Sequence, residues 1–170
     1  QRVTLDYTPG TLASINNTML GEIRSYIIQY GEFEDEEEPD DPNVYLEAED
    51  GIMGSNWETH ADAFASNGIY VMTKPGHEYT NSASSDTDDL ITMTFKICDP
   101  GQYALWARAN TPSPNDDSFW IKMDIGSWIN WNNIEAGSGW GWDDVDQRFS
   151  LDTGYHELAV CMREDGAGLD

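Results

Sequence analysis

Long apolar runs are missing from this 170-residue chain. No stretch of about 18 apolar residues occurs, so no membrane-spanning helix is predicted. Positive charge is scarce: 8 Lys+Arg stand against 32 Asp+Glu, a net charge of −24 at pH 7. Such a surface repels phosphate backbones and anionic bilayers, which argues against nucleic acid or a membrane as partner, while divalent cations remain compatible with it. Histidine is scarce too. His60, His77 and His156 show no metal-binding spacing, and there is no nucleophile elbow or phosphate loop, so no catalytic machinery is expected. Cysteine occurs twice, at Cys98 and Cys161, both in strand-like runs and neither in a Cys-x-x-Cys pair. Two buried free thiols are one reading. The other is a disulfide, favoured by abundant Trp and Gly and by the sequon Asn16-Asn17-Thr18, with Asn16 as glycan acceptor; both features suit an extracellular protein. Closing that span would remove about 4 kcal/mol of unfolded-chain entropy.

The chain does contain enough apolar residues, 39% with seven Trp, for a real core. Three regions are predicted. Residues 1–31 hold a strand and a helix. In residues 2–7, Val3, Leu5 and Tyr7 alternate with Arg2, Thr4 and Asp6 in the period-two pattern of a half-buried strand. Over residues 11–30, Leu12, Ile15, Met19, Ile23, Tyr26, Ile27 and Tyr30 form one apolar helical stripe, and Gly31 suits a C-terminal cap. Residues 32–43 read as a linker, since Glu34-Asp35-Glu36-Glu37-Glu38 repels itself and Pro39 and Pro42 forbid regular structure.

Residues 44–170 read as β structure. Ile91, Met93, Phe95 and Ile97 alternate, Asp99-Pro100-Gly101 turns, and Tyr103, Leu105 and Ala107 alternate again, which predicts a hairpin over 90–108. Phe119, Ile121, Met123 and Ile125 form another run, and His156, Leu158, Val160 and Met162 a last one; His156 reads as a packing residue. The Trp-, Asn- and Gly-rich region between those two runs reads as loop. The fold class predicted is all-β: a jelly-roll-like β-sandwich with an N-terminal strand and an amphipathic helix as appendage.

Within residues 44–170, Leu46-Glu47-Ala48-Glu49, Ser66-Asn67-Gly68-Ile69-Tyr70-Val71, Pro100-Gly101-Gln102-Tyr103-Ala104-Leu105-Trp106-Ala107-Arg108, Asp116-Asp117-Ser118-Phe119-Trp120, Gly154-Tyr155-His156-Glu157-Leu158 and the final Arg163-Glu164-Asp165-Gly166-Ala167-Gly168-Leu169-Asp170 follow one another in an order that resembles a calcium-containing β-sandwich carbohydrate-binding module, the group that includes families six and thirty-five. The resemblance covers about three quarters of the chain. It implies a structural calcium held by Glu47, Glu49 and Asp170. Calcium takes six to eight hard oxygens, and on a strand Glu47 and Glu49 would share a face. It also implies sugar stacking on aromatics, with Tyr70, Trp128, Trp131, Trp140 and Trp142 as candidates. Where the family often places an Asn ligand, this chain has Gly168.

In such modules the Gly-x-x-Leu-Asp turn leads into a closing strand. The sandwich is therefore expected to lack that strand, while Val3, Leu5 and Tyr7 form a strand without a nearby sheet. Two functions follow as expectations. One is a non-catalytic extracellular fibre subunit whose N-terminal strand completes the sandwich of a neighbouring copy, head-to-tail. The alternative is a calcium-stabilised carbohydrate-binding module of a larger secreted polysaccharide-active enzyme or adhesin, with polysaccharide as partner.

Overall fold

The strongest period-two runs of the sequence become the middle of a sheet. In the computed structural model, residues 43–137 and 139–170 are described. The strand of residues 2–7, the helix of residues 11–30, Asn16 and nearly all of the linker lie outside them. The chain divides into two units, Gln1–Asp41 and Pro42–Asp170, and the second carries everything below. Its strands are β1 (Ile52–Met53), β2 (Trp57–Ala61), β3 (Ile69–Thr73), β4 (Leu90–Ile97), β5 (Gly101–Asn110), β6 (Phe119–Met123), β7 (Ile129–Trp131), β8 (Trp140–Leu151), β9 (Gly154–Met162) and β10 (Gly168–Leu169). They form two antiparallel sheets, ordered β1-β4-β9-β6-β7 and β2-β3-β10-β5-β8. The all-β sandwich expected from the sequence is the fold observed.

In β4, Ile91, Met93, Phe95 and Ile97 are buried while Thr94 and Lys96 face out. This strand pairs along its whole length with β9, from Leu90↔Cys161 to Ile97↔Gly154. The second half of β9 is buried on both faces, because the segment after β3 crosses the outside of this sheet. Ser84 N–H donates to Cys161 Sγ at 3.3 Å, Tyr79 N–H to Arg163 O at 3.0 Å, and Trp120 Nε1–H to Tyr79 O at 2.7 Å. Asp89, 1% exposed, pins that segment through Asn56 Nδ2 (2.7 Å) and Ser84 Oγ (2.6 Å). Between the sheets sits Phe119, fully buried, its ring centroid 6.4 Å from Trp57 and 5.7 Å from Trp131.

Four expectations are corrected here. The alternation of β6 stops at Met123: Asp124 takes φ +50° and turns the chain, leaving Ile125 in solvent. The supposed loop holding Trp140 and Trp142 is the twelve-residue strand β8, paired with β5. The Gly-x-x-Leu-Asp segment is not a turn ahead of a strand. Gly168 and Leu169 are already strand, seated between β3 and β5 with Leu169 buried and opposite Val71 and Ala109. Finally, Cys98 and Cys161 are both free, the first exposed and the second buried. Leu90, the partner of Cys161, precedes Cys98 by eight residues of strand and turn, roughly 27 Å at strand rise. A disulfide needs Cα atoms within about 7 Å.

Candidate functional site

Two features meet at β10: a carboxylate cluster and an aromatic platform. The cluster begins where the chain enters the sandwich. Glu47 and Glu49 do not lie along a strand. Glu47 is extended (φ −99°, ψ 129°), and residues Ala48–Asp50 then form a single 3-10 turn. The turn still gathers the side chains, so that oxygens of Glu47, Glu49 and Asp170 lie within 4.8 Å of one another. The third face of the cluster is the Ser66–Gly68 turn, which depends on positive φ at Asn67 (51°) and Gly68 (76°). That turn aims Ser66 N–H at both Asp170 oxygens (2.9 and 3.0 Å) and Ser66 Oγ–H at Glu47 (2.9 Å). Arg108 Nη1 donates to Asp170 Oδ2 at 2.5 Å, and the Asp170 side chain is fully buried.

Glu49 is the exception. Both its carboxylate oxygens are buried without a hydrogen-bond partner among the described residues. Burial, and then the charges of Glu47, Asp170 and Asp50, push its carboxyl above the usual range, and the approach of its own backbone N–H, which makes no hydrogen bond of normal geometry, offsets this only in part. A buried carboxylate with no donor is costly. The donor set is all oxygen and triply anionic, which fits a hard divalent cation of the calcium type and suits no soft metal.

The platform occupies the outer face of the second sheet. The pairing register places Tyr70 on β3 and Arg108 on β5 to either side of Asp170, then Trp142 opposite Arg108 and Trp140 opposite Asn110 on β8. Tyr70 meets Trp140 edge to face, with centroids 5.0 Å apart and planes at 74°, and His60 stacks on Tyr70 at 5.4 Å. Arg108 lies over Trp140, 5.5 Å from the ring centre, and its Nη2 donates to Phe64 O at 2.7 Å. Trp140 Nε1–H donates to Asp62 Oδ2 at 3.0 Å. The Phe64 N–H, and after it this indole, hold the Asp62 carboxyl below its ordinary range.

Gly168 is what lets the aromatics close. A Cβ there would stand 3.0 Å from the Tyr70 ring and 3.5 Å from Trp140. Gly168 thus gives up a side chain and makes room for an aromatic pair.

Of the sequence candidates, Tyr70, Trp140 and Trp142 come together here. Trp142 is 65% exposed, a free ring face, whereas Trp140 is held in place. Trp128 lies apart, next to the edge strand of the other sheet, with Lys122 Nζ 4.8 Å above its ring. Trp131 is corrected: it is 4% exposed, packed on Phe119, and its Nε1–H donates to Asp143 at 2.8 Å, which leaves no face for a ligand. The sequence reading missed Trp106, 55% exposed on β5, and the Arg108 beside it. The signal was available: with Leu105 and Ala107 facing the core, period two puts Trp106 and Arg108 outward.

No protein-family model matches the chain, and no curated protein matches it. Solved structures do. A family 35 carbohydrate binding module from Clostridium thermocellum is 18% identical, with a TM-score of 0.54, covering 75% of this chain and 94% of that one. The GH26-CBM35 β-(1,4)-mannanase of Podospora anserina is 17% identical at TM-score 0.58 over 75% of this chain and 26% of that one. An exo-β-1,3-galactanase from Phanerochaete chrysosporium is 13% identical at TM-score 0.54 over 74% of this chain and 27% of that one. The chain spans about a quarter of the length of these two enzymes. At these identities the likeness is one of fold: the sandwich has the architecture of a carbohydrate-binding module.

Proposed function

We propose that residues 44–170 form a non-catalytic carbohydrate-binding module, stabilised by calcium and serving a polysaccharide-directed protein outside the cell. Of the two functions expected from the sequence, the fold neighbours favour this one, and none of them speaks for polymerisation. The observation that carries the reading is the outer-face platform. Tyr70 and Trp140 are locked by each other and by Asp62, and Trp106 and Trp142 stand open to solvent on the same sheet. Rigid aromatics presented this way suit the apolar C–H face of a pyranose, with Arg108 and Asp62 near enough to order its hydroxyls. Glu47, Glu49 and Asp170 would hold the calcium, whose role is structural: it would tie the entry segment to β10.

The experiment is affinity electrophoresis of the full chain through gels containing soluble polysaccharides, beside a glycan array. Retardation by at least one polysaccharide is expected, and Trp142→Ala is expected to abolish it while leaving the melting temperature within about 2 °C, since surface changes cost little. Unaltered retardation in Trp142→Ala would remove the platform from the binding site. Absence of binding to every polysaccharide, with calcium present, would overturn the reading.

A further inference from the structure

The free ring faces of the platform are not those of its locked aromatics. His60 stacks on Tyr70 at 5.4 Å, and Arg108 stands 5.5 Å over Trp140. Tyr70 in turn meets Trp140 edge to face at 5.0 Å. Each ring of that pair is already partly occupied by the chain itself. Among the described residues, no ring or cation stands against Trp142 or Trp106, which are 65% and 55% exposed.

The pairing register sets these two open rings beside each other. Trp142 is opposite Arg108 and Trp106 opposite Asp144, so Trp106 and Trp142 are diagonal neighbours on the outer face of β5 and β8. Such neighbours stand about 7–8 Å apart. Trp140 lies two residues before Trp142 on the same face, roughly 7 Å further along β8. The row Trp140, Trp142, Trp106 therefore makes a track of roughly 14 Å, longer than a single pyranose ring. Beyond Trp106 the next outward residue of β5 is the small, exposed Ala104, so among the described residues of that strand nothing bulky ends the row.

Charge decides what class of sugar such a track accepts. Arg108 is bonded to Asp170 and to Phe64 O, and Arg148 holds Asp144 through both its terminal nitrogens (3.2 and 3.1 Å). A divalent ion among Glu47, Glu49, Asp170 and Arg108 would bring that cluster to neutrality, not to positive charge. Glu58, Asp62 and Asp144 add carboxylates around the aromatics, in a chain of net charge −24. A carboxylated or sulfated sugar would meet repulsion here and no unpaired arginine. An uncharged sugar brings hydroxyl donors, which those carboxylates accept.

Given the carbohydrate reading, on which this rests, we infer that the ligand is an uncharged polysaccharide bound along its length, with Trp142 and Trp106 as successive stacking positions. Trp142 takes one unit of the chain, Trp106 a neighbouring one, and the acidic rim rejects uronate and sulfate polymers. Trp106 thus adds affinity only for ligands long enough to reach it.

The test uses the full chain with calcium present. Gels containing mannan, xylan or galactan are run beside gels containing polygalacturonate or alginate, at low and at high sodium chloride. Retardation is expected in at least one neutral gel, unchanged by salt, and in neither acidic gel. Calorimetry then follows with oligosaccharides of the neutral polysaccharide that retards. Wild-type affinity is expected to rise about tenfold or more from disaccharide to hexasaccharide. Trp106→Ala is expected to remove that rise while leaving the melting temperature within about 2 °C. Trp106→Phe should keep most of the rise, and Tyr155→Ala, exposed on the other sheet, should keep all of it. Binding confined to the acidic polymers, or binding weakened by salt, would overturn the assignment of an uncharged ligand. A length dependence that survives Trp106→Ala, or a wild type without one, would remove Trp106 from the track and sink the inference. Retardation by no polysaccharide at all would defeat the carbohydrate reading together with this inference, so the wild-type gels tell the two failures apart.

Discussion

Removing calcium should cost the sandwich several degrees of stability, and removing the Glu49 charge should cost it none. Without an ion, Glu47, Glu49 and Asp170 hold carboxylate oxygens no more than 4.8 Å apart, and both Glu49 oxygens are buried and unpartnered. At an effective dielectric of about 20, two unit charges at that separation repel by roughly 3 kcal/mol before solvent screening reduces it. Asp170 is partly compensated by Arg108 and Ser66; Glu49 has no such donor. A divalent ion reverses the sign of the interaction. At a free concentration of a hundred times its dissociation constant, it adds about 2.7 kcal/mol. At about 3 °C per kcal/mol for a domain of this size, that is roughly 8 °C. The assay is a thermal melt followed by tryptophan fluorescence, in chelator and then in millimolar calcium, with magnesium as control because its small octahedral shell fits such a site poorly. In chelator, Glu49→Gln should melt at or above the wild type, since it removes one of three crowded charges. In calcium it should show little of the increment. A wild type indifferent to calcium would refute the reasoning, as would a Glu49→Gln chain that gains the full shift.

Three further outcomes test the fold around the site. Cys98 should react with a thiol reagent in the native state while Cys161, buried and pushed up to about 11 chiefly by that burial, should not; melts with and without reductant should coincide. His156 Nδ1 pairs with Asp124 Oδ2 at 2.8 Å; its hydrogen bond to Asp124, then that to Asp152 O, raise the His156 value. Burial opposes the fall at Asp124, yet hydrogen bonds from His156 and from the Glu157 N–H hold that carboxyl low. The raised imidazole stabilises fully below about 6.5 and loses its contribution as pH climbs through its folded value. The lowered carboxyl stabilises above about 3.8 and loses its contribution as pH falls through its own. Melting temperature against pH should therefore be highest between those limits and flatter in His156→Gln. Gly54→Ala should lower the unfolding free energy measured in urea by about 1–3 kcal/mol, because its Cβ would run into the Asp88 and Thr87 carbonyl oxygens, which are backbone and cannot turn aside.

What the sequence made legible was whatever one buried face dictates. Strand β4 and the first half of β9 alternate in burial because the core lies on one side of them, so Ile91 to Ile97 and His156 to Leu158 could be read directly, whereas β9 beyond Leu158 is covered on both faces. Strand β8 could not: Asp143, Asp144 and Asp146 crowd it, and only Val145 and Leu151 are fully buried along it, too sparse for a pattern. The metal cluster was legible in composition but not in geometry, since the pairing of Glu47 with Glu49 comes from a 3-10 turn rather than a strand. Among the tryptophans, period two separates Trp106 from its inward neighbours on a strand already recognised. By contrast, nothing local distinguishes the buried Trp131 from the exposed Trp142; one packs on Phe119 and the other has only solvent above it, and the difference is made by strands far away in sequence.

The two-residue strand β10 makes the carboxylate cluster and the aromatic platform interdependent. Leu169 closes the core, Gly168 makes room for Tyr70 against Trp140, and Asp170 joins the carboxylate cluster while holding Arg108 over Trp140. An ion drawn to Asp170 would compete with Arg108 for the same oxygens. Linkage requires the effect to be mutual: the factor by which Arg108 on Asp170 weakens calcium is the factor by which calcium weakens the hold of Asp170 on Arg108. If Asp170 is the shared group, Arg108→Gln should weaken sugar retention and strengthen calcium, because it unseats the cation over Trp140 and frees Asp170 for the ion. A variant that weakens sugar retention and calcium alike would place Arg108 with the structure of the cluster and leave the two sites uncoupled.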